Sequence, residues 1–237
     1  MPTFYTAKDI GVSVSGAVCG AQSFSVSFDY PVTPIFQLGS ITNCGVMQAP
    51  GRGTASLTVL GDVPVISGTW KSILEDDTLA VACPLFGLSG AACTGVTFTG
   101  RAGSPPSATY TFTGTGFTTG GGGEPGACGC GVATEDITGP QAAYTVTASS
   151  TVSFLEEFGS ATLLGMSIEQ PRVTATMEYY VGSAGTSVVT IGGMSLTLDE
   201  SLKSAEGGRG SVGGFATYSI SFFGGSEGSL TGGLTIG

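Results

Sequence analysis

The acidic residues are the candidates for catalysis in this sequence, which contains no histidine. They cluster at Glu75-Asp76-Asp77, Glu156-Glu157 and Asp199-Glu200. A glycosidase needs two carboxyl groups facing each other across a sugar, at about 5–9 Å. Acids adjacent in sequence do not give that arrangement and are typical of the solvated first turn of a helix, where they face the positive end of its dipole. The clusters therefore do not indicate a catalytic pair.

Serine and cysteine nucleophiles would lack a base. The segment Gly224-Gly-Ser-Glu-Gly228 matches the Gly-x-Ser-x-Gly pattern of serine hydrolases, but no helix is predicted after it and the chain contains no histidine. A cysteine nucleophile would also lack its histidine. Calcium ligation by Asp76 and Asp77 is conceivable, but the EF-hand spacing is absent. We expect a protein that is not an enzyme.

The six cysteines, at positions 19, 44, 83, 93, 128 and 130, do not predict a metal site. Cys128-Gly-Cys130 is a weak zinc signal, because there is no histidine and no Cys-x-x-Cys pair, so we expect no metal and no cofactor. Cys83 and Cys93 are spaced for a local disulfide. The N-terminal residues do not resemble a signal peptide, and cytosolic synthesis favours free thiols over that disulfide.

Composition predicts a β-protein that works in an assembly. Glycine accounts for 41 of 237 residues, between runs of valine, threonine, serine and phenylalanine, which is typical of short strands and tight turns. A hydrophobic content of 41% argues against disorder. Only 10% of residues are charged, against about 25% in ordinary soluble domains, so we expect much of the surface to be covered by other subunits. No apolar stretch is long enough to predict a membrane span.

Landmarks of the first half recur in the second in the same order. Arg101-Ala-Gly-Ser-Pro-Pro-Ser-Ala-Thr-Tyr110 matches Arg209-Gly-Ser-Val-Gly-Gly-Phe-Ala-Thr-Tyr218 at an offset of 108 residues. Two further matches, at offsets of 126 and 120, are Val26-Ser-Phe28 with Val152-Ser-Phe154 and Arg52-Gly-Thr-Ala55 with Arg172-Val-Thr-Ala175. Conserved order and similar spacing predict a tandem duplication. The predicted divisions are a first β-domain at 1–118, a Gly/Pro-rich linker at 119–140 and a second β-domain at 141–237.

Each half is predicted to carry one short helix. In the first half it runs from Trp70 to Asp76, or continues to Cys83 before Pro84. In the second half Leu198, Leu202 and Ala205 share one helical face within residues 196–205, and Gly207-Gly208 would end the helix. The predicted fold is mainly β, with two tandem β-sandwich or barrel domains, each with one helix against it.

Residues 39–53 are predicted to form a long hairpin tip or arm. An excursion of this length from a compact domain usually reaches a neighbour or a ligand, and the alternative is a surface loop without function.

The chain resembles the major tail (tail tube) proteins of tailed bacteriophages. The resemblance is carried by Tyr218-Ser-Ile-Ser-Phe-Phe-Gly-Gly-Ser-Glu-Gly-Ser-Leu-Thr-Gly232, by its repeat Tyr110-Thr-Phe-Thr-Gly-Thr-Gly116, and by Val26-Ser-Phe-Asp-Tyr-Pro-Val-Thr-Pro-Ile-Phe-Gln-Leu-Gly39. It implies rings closed by joining sheets between neighbours, and a hairpin loop that reaches the next ring. It would place the inter-ring contacts at Ile41, Val46, Met47, Gln48 and Arg52.

The resemblance also implies the partners and the location. Two tube-like domains in one chain would allow trimeric rings with pseudo-sixfold symmetry. The partners would be copies of the chain, other tail proteins and, transiently, DNA in the lumen, with no membrane; the location would be the virion tail, assembled in the host cytoplasm. A net charge of −10 with only seven basic residues fits an acidic lumen that does not retain DNA.

Four arginines occupy matching places in the two halves: Arg52 with Arg172, and Arg101 with Arg209. We hypothesise that they pair with acids between domains or subunits, rather than being solvated singly.

Two other functions remain open on the sequence alone. One is another self-assembling virion or surface-layer protein, such as a decoration or fibre subunit. The other is a carbohydrate-binding module, which has little support because the chain has one tryptophan, Trp70, expected in the core.

Overall fold

The computed structural model describes most of the chain. The described residues are 11–15, 17–19, 21–39, 41–60, 74–119, 141–157, 160, 163–181, 188–191, 194–198, 203–210, 212, 214–224 and 234–236. Most of the predicted linker at 119–140, the residue Trp70, and Cys128 and Cys130 lie outside this part.

The described part of the chain is mainly β, as predicted. The strands of the first half are β1 (Val12–Val14), β2 (Ala17–Cys19), β3 (Ala21–Asp29), β4 (Val32–Phe36), β5 (Asn43–Gln48), β6 (Arg52–Leu60), β7 (Leu79–Ala82), β8 (Gly87–Arg101) and β9 (Ser104–Thr118). Those of the second half are β10 (Gln141–Glu156), β11 (Leu163–Tyr180), β12 (Val188–Ile191), β13 (Met194–Leu198), β14 (Lys203–Arg209), β15 (Thr217–Gly224) and β16 (Leu234–Ile236).

Strict alternation along the chain explains the main strands. In β6 the side chains of Ala55, Leu57 and Val59 are buried, whereas the intervening threonines and serine face outward. A period of two puts one set of side chains on each face of a pleated strand.

One antiparallel sheet runs through both halves. Its strand order is β3-β6-β9-β8-β10-β11-β15-β14. The first part of β8 pairs with β7, and its later part pairs with β10. Strand β7 also pairs with β1, and β1 pairs with β2. Residues 32–48 form a separate hairpin of β4 and β5, and β12, β13 and β16 form a three-stranded sheet.

The change of partner along β8 coincides with irregular backbone. Gly90 has a φ of +53°, a backbone conformation that residues with a Cβ rarely adopt. The register between β8 and β9 shifts between Cys93 and Gly95. Bulges of this kind bend a strand.

The core is a single cluster on one face of the sheet. It includes Leu57 and Phe112 from the first half and Val146 and Met177 from the second, together with residues of β1, β7 and β8. Both halves thus share one sheet and one buried cluster. The division into domains at 1–118 and 141–237 stays a prediction.

The helix predicted for the second half is wrong. Within residues 196–205, Leu196–Leu198 belong to β13, which pairs with β12 and β16, and Lys203 begins β14. Gly207 and Gly208, predicted to end the helix, lie inside β14. Apolar spacing over so short a segment does not distinguish helix from strand, and strand pairing decided the outcome.

Of the helix predicted for the first half, only the C-terminal end lies within the described residues. Leu74 and Glu75 are helical, and residues 61–73 lie outside the described part. The alternative in which this helix continues to Cys83 is wrong, because Leu79–Ala82 form β7.

Candidate assembly surfaces

The hairpin of β4 and β5 exposes apolar side chains in a segment without charge. We call residues 31–49 the arm; it contains no acidic or basic residue, and a hydrogen bond from the Ala49 amide to the Pro31 carbonyl closes its base. At its tip Leu38 is 103% exposed and Ile41 98% exposed. Further exposed apolar side chains of the arm are Val32, Ile35, Phe36, Val46 and Met47. Many exposed apolar side chains in one short segment are typical of an interaction site.

The predicted contact residues divide between the arm and its base. Ile41, Val46, Met47 and Gln48 all lie on the arm, whereas Arg52 lies beyond it, at the start of β6. The arm is longer than the predicted 39–53 on its N-terminal side, because Val32–Phe36 pair with Asn43–Gln48.

Arg52 connects the base of the arm to the second half. Its guanidinium forms an ion pair with Glu156 and lies 4.8 Å from the centre of the Phe154 ring. Both charged side chains are roughly half exposed, so the contact orients the two segments more than it stabilises them.

A cluster of charged groups lies on β8, β11 and β14. Arg209 donates from Nε and Nη2 to Oε1 of Glu178, at 3.0 and 2.7 Å, and the Thr217 hydroxyl donates to the same oxygen at 2.6 Å. The Thr217 hydrogen bond, followed by the Arg209 contact, lowers the pKa of Glu178, and Arg101 adds a weaker favourable charge. Arg101 and Arg209, from different halves, thus act on one carboxylate.

A polar cleft of about 530 Å³ opens beside this cluster. Its lining includes Arg101, Glu178 and Arg209 and the aromatic pair Tyr180 and Phe215, whose ring centroids are 5.5 Å apart. Phe215 is 83% exposed. Neither the cleft nor its aromatic residues were predicted; the apolar residues of the Gly-rich segment 210–216 were the available signal.

The arm and the cleft lie at opposite ends of the strands. The arm connects β3 to β6 at the end where Asp29 pairs with Arg52. The cleft lies at the other end, where Arg101 pairs with Ala143 and Ala143 with Glu178. Arg172 lies between them, exposed and opposite Ser149.

The sheet has three outer strands, β2, β3 and β14, and each has one partner within the described residues. β3 pairs with β6, and β14 pairs with β15. Residues 204–209 of β14 are all exposed. A strand with one side uncovered offers its amide and carbonyl groups to another chain.

The outward face of the sheet carries hydroxyls in a continuous row. Six neighbouring strands each contribute a serine or threonine at one register position, namely Ser23, Thr58, Thr109, Thr97, Thr147 and Thr174. Hydroxyl pairs bond across strands, for example Thr97 with Thr147 at 3.3 Å. We call this surface the hydroxyl face; its side chains in this row are uncharged.

The described residues offer little for catalysis or metal binding. No group of three or more histidine, cysteine, aspartate or glutamate side chains is arranged to hold a metal among them. Asp76 accepts hydrogen bonds from the amide and hydroxyl of Thr78, which is a turn interaction. Cys44, Cys83 and Cys93 are free thiols, and burial raises the pKa of Cys93 to about 12, which makes it a poor nucleophile.

No helix in the described part of the chain is long and apolar enough to span a membrane.

Comparisons with known proteins leave the geometry as the main guide. No model of a known protein family matches the sequence, and no match is found among curated proteins.

Proposed function

We propose that this chain is a structural subunit of a phage tail tube, which self-assembles into stacked rings around a DNA-conducting channel. Two features of the described residues together carry the proposal. The arm is exposed and uncharged, and the strands β3 and β14 each pair with another strand on one side only. Within the described residues, a single chain offers these strand margins no second strand and leaves the apolar side chains of the arm exposed. Copies of the same chain supply both apolar cover and sheet pairing.

The placement of the arm and the cleft supports stacking. A contact between one end of a molecule and the opposite end of the next is heterologous and propagates into a filament. The arm, with Leu38 and Ile41 at its tip, would reach the cleft-bearing end of a subunit in the next ring. There Phe215 and Val212 expose apolar surface.

The strand order supports rings of three chains. The order β3-β6-β9-β8 in the first half is repeated as β10-β11-β15-β14 in the second. A ring of three such chains would contain six similar units and have pseudo-sixfold symmetry.

The charge distribution supports passage of DNA. Each phosphate neutralised by a basic side chain adds affinity, so a conducting wall must offer few lysines and arginines. The central row of the hydroxyl face meets this requirement. Arg52, Arg101, Arg172 and Arg209 lie on the same face on either side of that row, and two of them, Arg52 and Arg209, are paired with acids. The chain as a whole has a net charge of −10. We assign the hydroxyl face to the channel wall and the remaining arginines, Arg101 and Arg172, to contacts with acids of neighbouring subunits.

The test is the assembly state of the purified full-length chain. We expect light scattering to detect particles far larger than one chain, and negative-stain microscopy to show hollow tubes of constant width. Solid fibres or isolated particles without a bore would indicate a fibre or decoration subunit instead. A monomer that persists at high concentration would contradict the proposal.

A further inference from the structure

The chain contains an internal junction between its two halves. Strands β8 and β10 pair antiparallel, from Gly95 opposite Ser149 to Arg101 opposite Ala143. At its centre the Thr97 and Thr147 hydroxyls lie 3.3 Å apart on the outward face. One half is thus joined to the other by seven-residue strand pairing that includes the buried side chains of Val96, Phe98 and Val146.

The outer strands β3 and β14 are the counterparts of the two strands in this junction. The first half has the order β3-β6-β9-β8 and the second has β10-β11-β15-β14. Therefore β10 corresponds to β3, and β14 corresponds to β8. The junction strands are paired inside the chain, whereas their counterparts are outer strands of the sheet, each with one partner among the described residues.

Strand pairing fixes how residues of β3 correspond to residues of β10. Ser27 pairs with Thr54, and Thr147, 120 positions after Ser27, pairs with Thr174, 120 positions after Thr54. The same shift holds along the pairing, since Asp29 opposite Arg52 corresponds to Ser149 opposite Arg172.

A second shift relates β8 and β9 to β14 and β15. Val96 pairs with Tyr110, and Glu206 pairs with Ile220, each residue lying 110 positions later. The register irregularities agree with this shift. The one in β8 falls between Cys93 and Gly95, and the one in β14 falls between Lys203 and Ala205, again 110 positions later. Bulges are specific features of a strand, so their coincidence supports the correspondence.

We infer that β14 of one copy pairs with β3 of the next in the register already used between β8 and β10, which places Gly207 opposite Ser27. This inference rests on the proposed function, because it specifies how neighbouring subunits of the ring join. Thr97 corresponds to Gly207 and Thr147 to Ser27, so the new pair would lie on the outward face of the sheet, as Thr97 and Thr147 do.

The test is disulfide cross-linking between two single-substitution variants. Ser27→Cys and Gly207→Cys are made in separate Cys44→Ser chains, which are mixed before assembly, so that a disulfide joining positions 27 and 207 must link two molecules. A Cβ at Gly207 would lie 3.5 Å from the Ser219 hydroxyl, an ordinary contact, so this substitution fits the fold. After oxidation, peptide mass spectrometry identifies the linked positions. Thr97→Cys with Thr147→Cys in one chain is the positive control.

The matched control is Ser27→Cys mixed with Ala205→Cys. The Arg101/Arg209 sequence match relates the halves by 108 residues instead of 110, so it would place Ala205, not Gly207, opposite Ser27. We expect the 27–207 disulfide to form several-fold more than the 27–205 disulfide. A dominant 27–205 link would overturn the register. Tubes without either link would overturn the inference and leave the proposed function standing. A failure of every mixture to assemble would overturn both.

Discussion

Glu178 is the residue at which the charged groups beside the cleft converge. Its carboxylate accepts hydrogen bonds from Arg209 and Thr217, and Arg101 lies close enough to stabilise the charge. The repeated arginines are therefore not equivalent in their contacts: Arg52 pairs with Glu156 across the two halves, whereas Arg209 pairs within the second half. The pairing of arginines with acids between subunits stays a prediction.

The lowered pKa of Glu178 predicts a pH-dependent contribution to stability. A carboxyl with a lowered folded-state pKa stabilises the fold above its unfolded pKa, about 4.5, and loses that contribution as the pH falls through the folded value. We expect Glu178→Gln to lower the free energy of unfolding at pH 6 by about 0.5–1 kcal/mol, since the pair is surface-accessible. The difference from the native chain should disappear near pH 2, as measured by urea unfolding.

Glu157→Gln is the matched control, because Glu157 is an exposed carboxyl away from this cluster. It should change stability little at either pH. An equal loss for Glu178→Gln at both pH values would show that the effect is steric and not ionic.

At the scale of single elements, alternation was the reliable signal and helical spacing was not. In β9 the buried Tyr110 and Phe112 alternate with the outward Thr109, Thr111 and Thr113. This pattern extends over many residues and has one interpretation. The segment 196–205 offered only three apolar residues at helical spacing, and strand pairing of Leu196–Leu198 overrode it.

Neighbouring residues of β9 should differ sharply in their contribution to stability. Phe112 is fully buried and packs near Tyr110, with ring centroids 6.3 Å apart, whereas Thr111 faces outward. We expect Phe112→Ala to lower the free energy of unfolding by about 3–5 kcal/mol. Thr111→Ala should cost less than about 1 kcal/mol. Chemical denaturation of both variants checks this, and similar losses would mean that the faces of β9 are assigned wrongly.

At the scale of the whole molecule, the apolar surface of the arm is unfavourable in water for a chain without partners. It exposes apolar side chains and carries no charge to keep separate molecules apart. Its length and position, at the end of the strands opposite the cleft, favour contact along one axis. Sheet margins at β3 and β14 favour contact around that axis.

Charges at the tip of the arm should separate folding from stacking. Because Leu38 and Ile41 are fully exposed in one chain, Leu38→Asp with Ile41→Asp should change the free energy of unfolding by no more than about 0.5 kcal/mol. In stacked rings the same carboxylates would be buried against an apolar surface, so we expect tubes to be replaced by rings or short stacks in electron micrographs.

The control for this change is Leu38→Val with Ile41→Val, which keeps the tip apolar and should still form tubes. Normal tube length for the aspartate variant would remove the arm from the stacking contact.

The sequence by itself determined the β class, the absence of histidine and the uncharged composition of the arm. These depend on residue type and on local alternation, which each strand expresses without reference to the rest of the chain. Only the tertiary structure decided which strands pair. The Val26-Ser-Phe28 match relates β3 to β10 by 126 residues, whereas strand pairing relates them by 120. The Arg101/Arg209 match relates β8 to β14 by 108 residues, whereas pairing relates them by 110. Both differences are even. An even shift keeps every side chain on its own face, so alternation cannot detect it, and only long-range contacts across the sheet select the register.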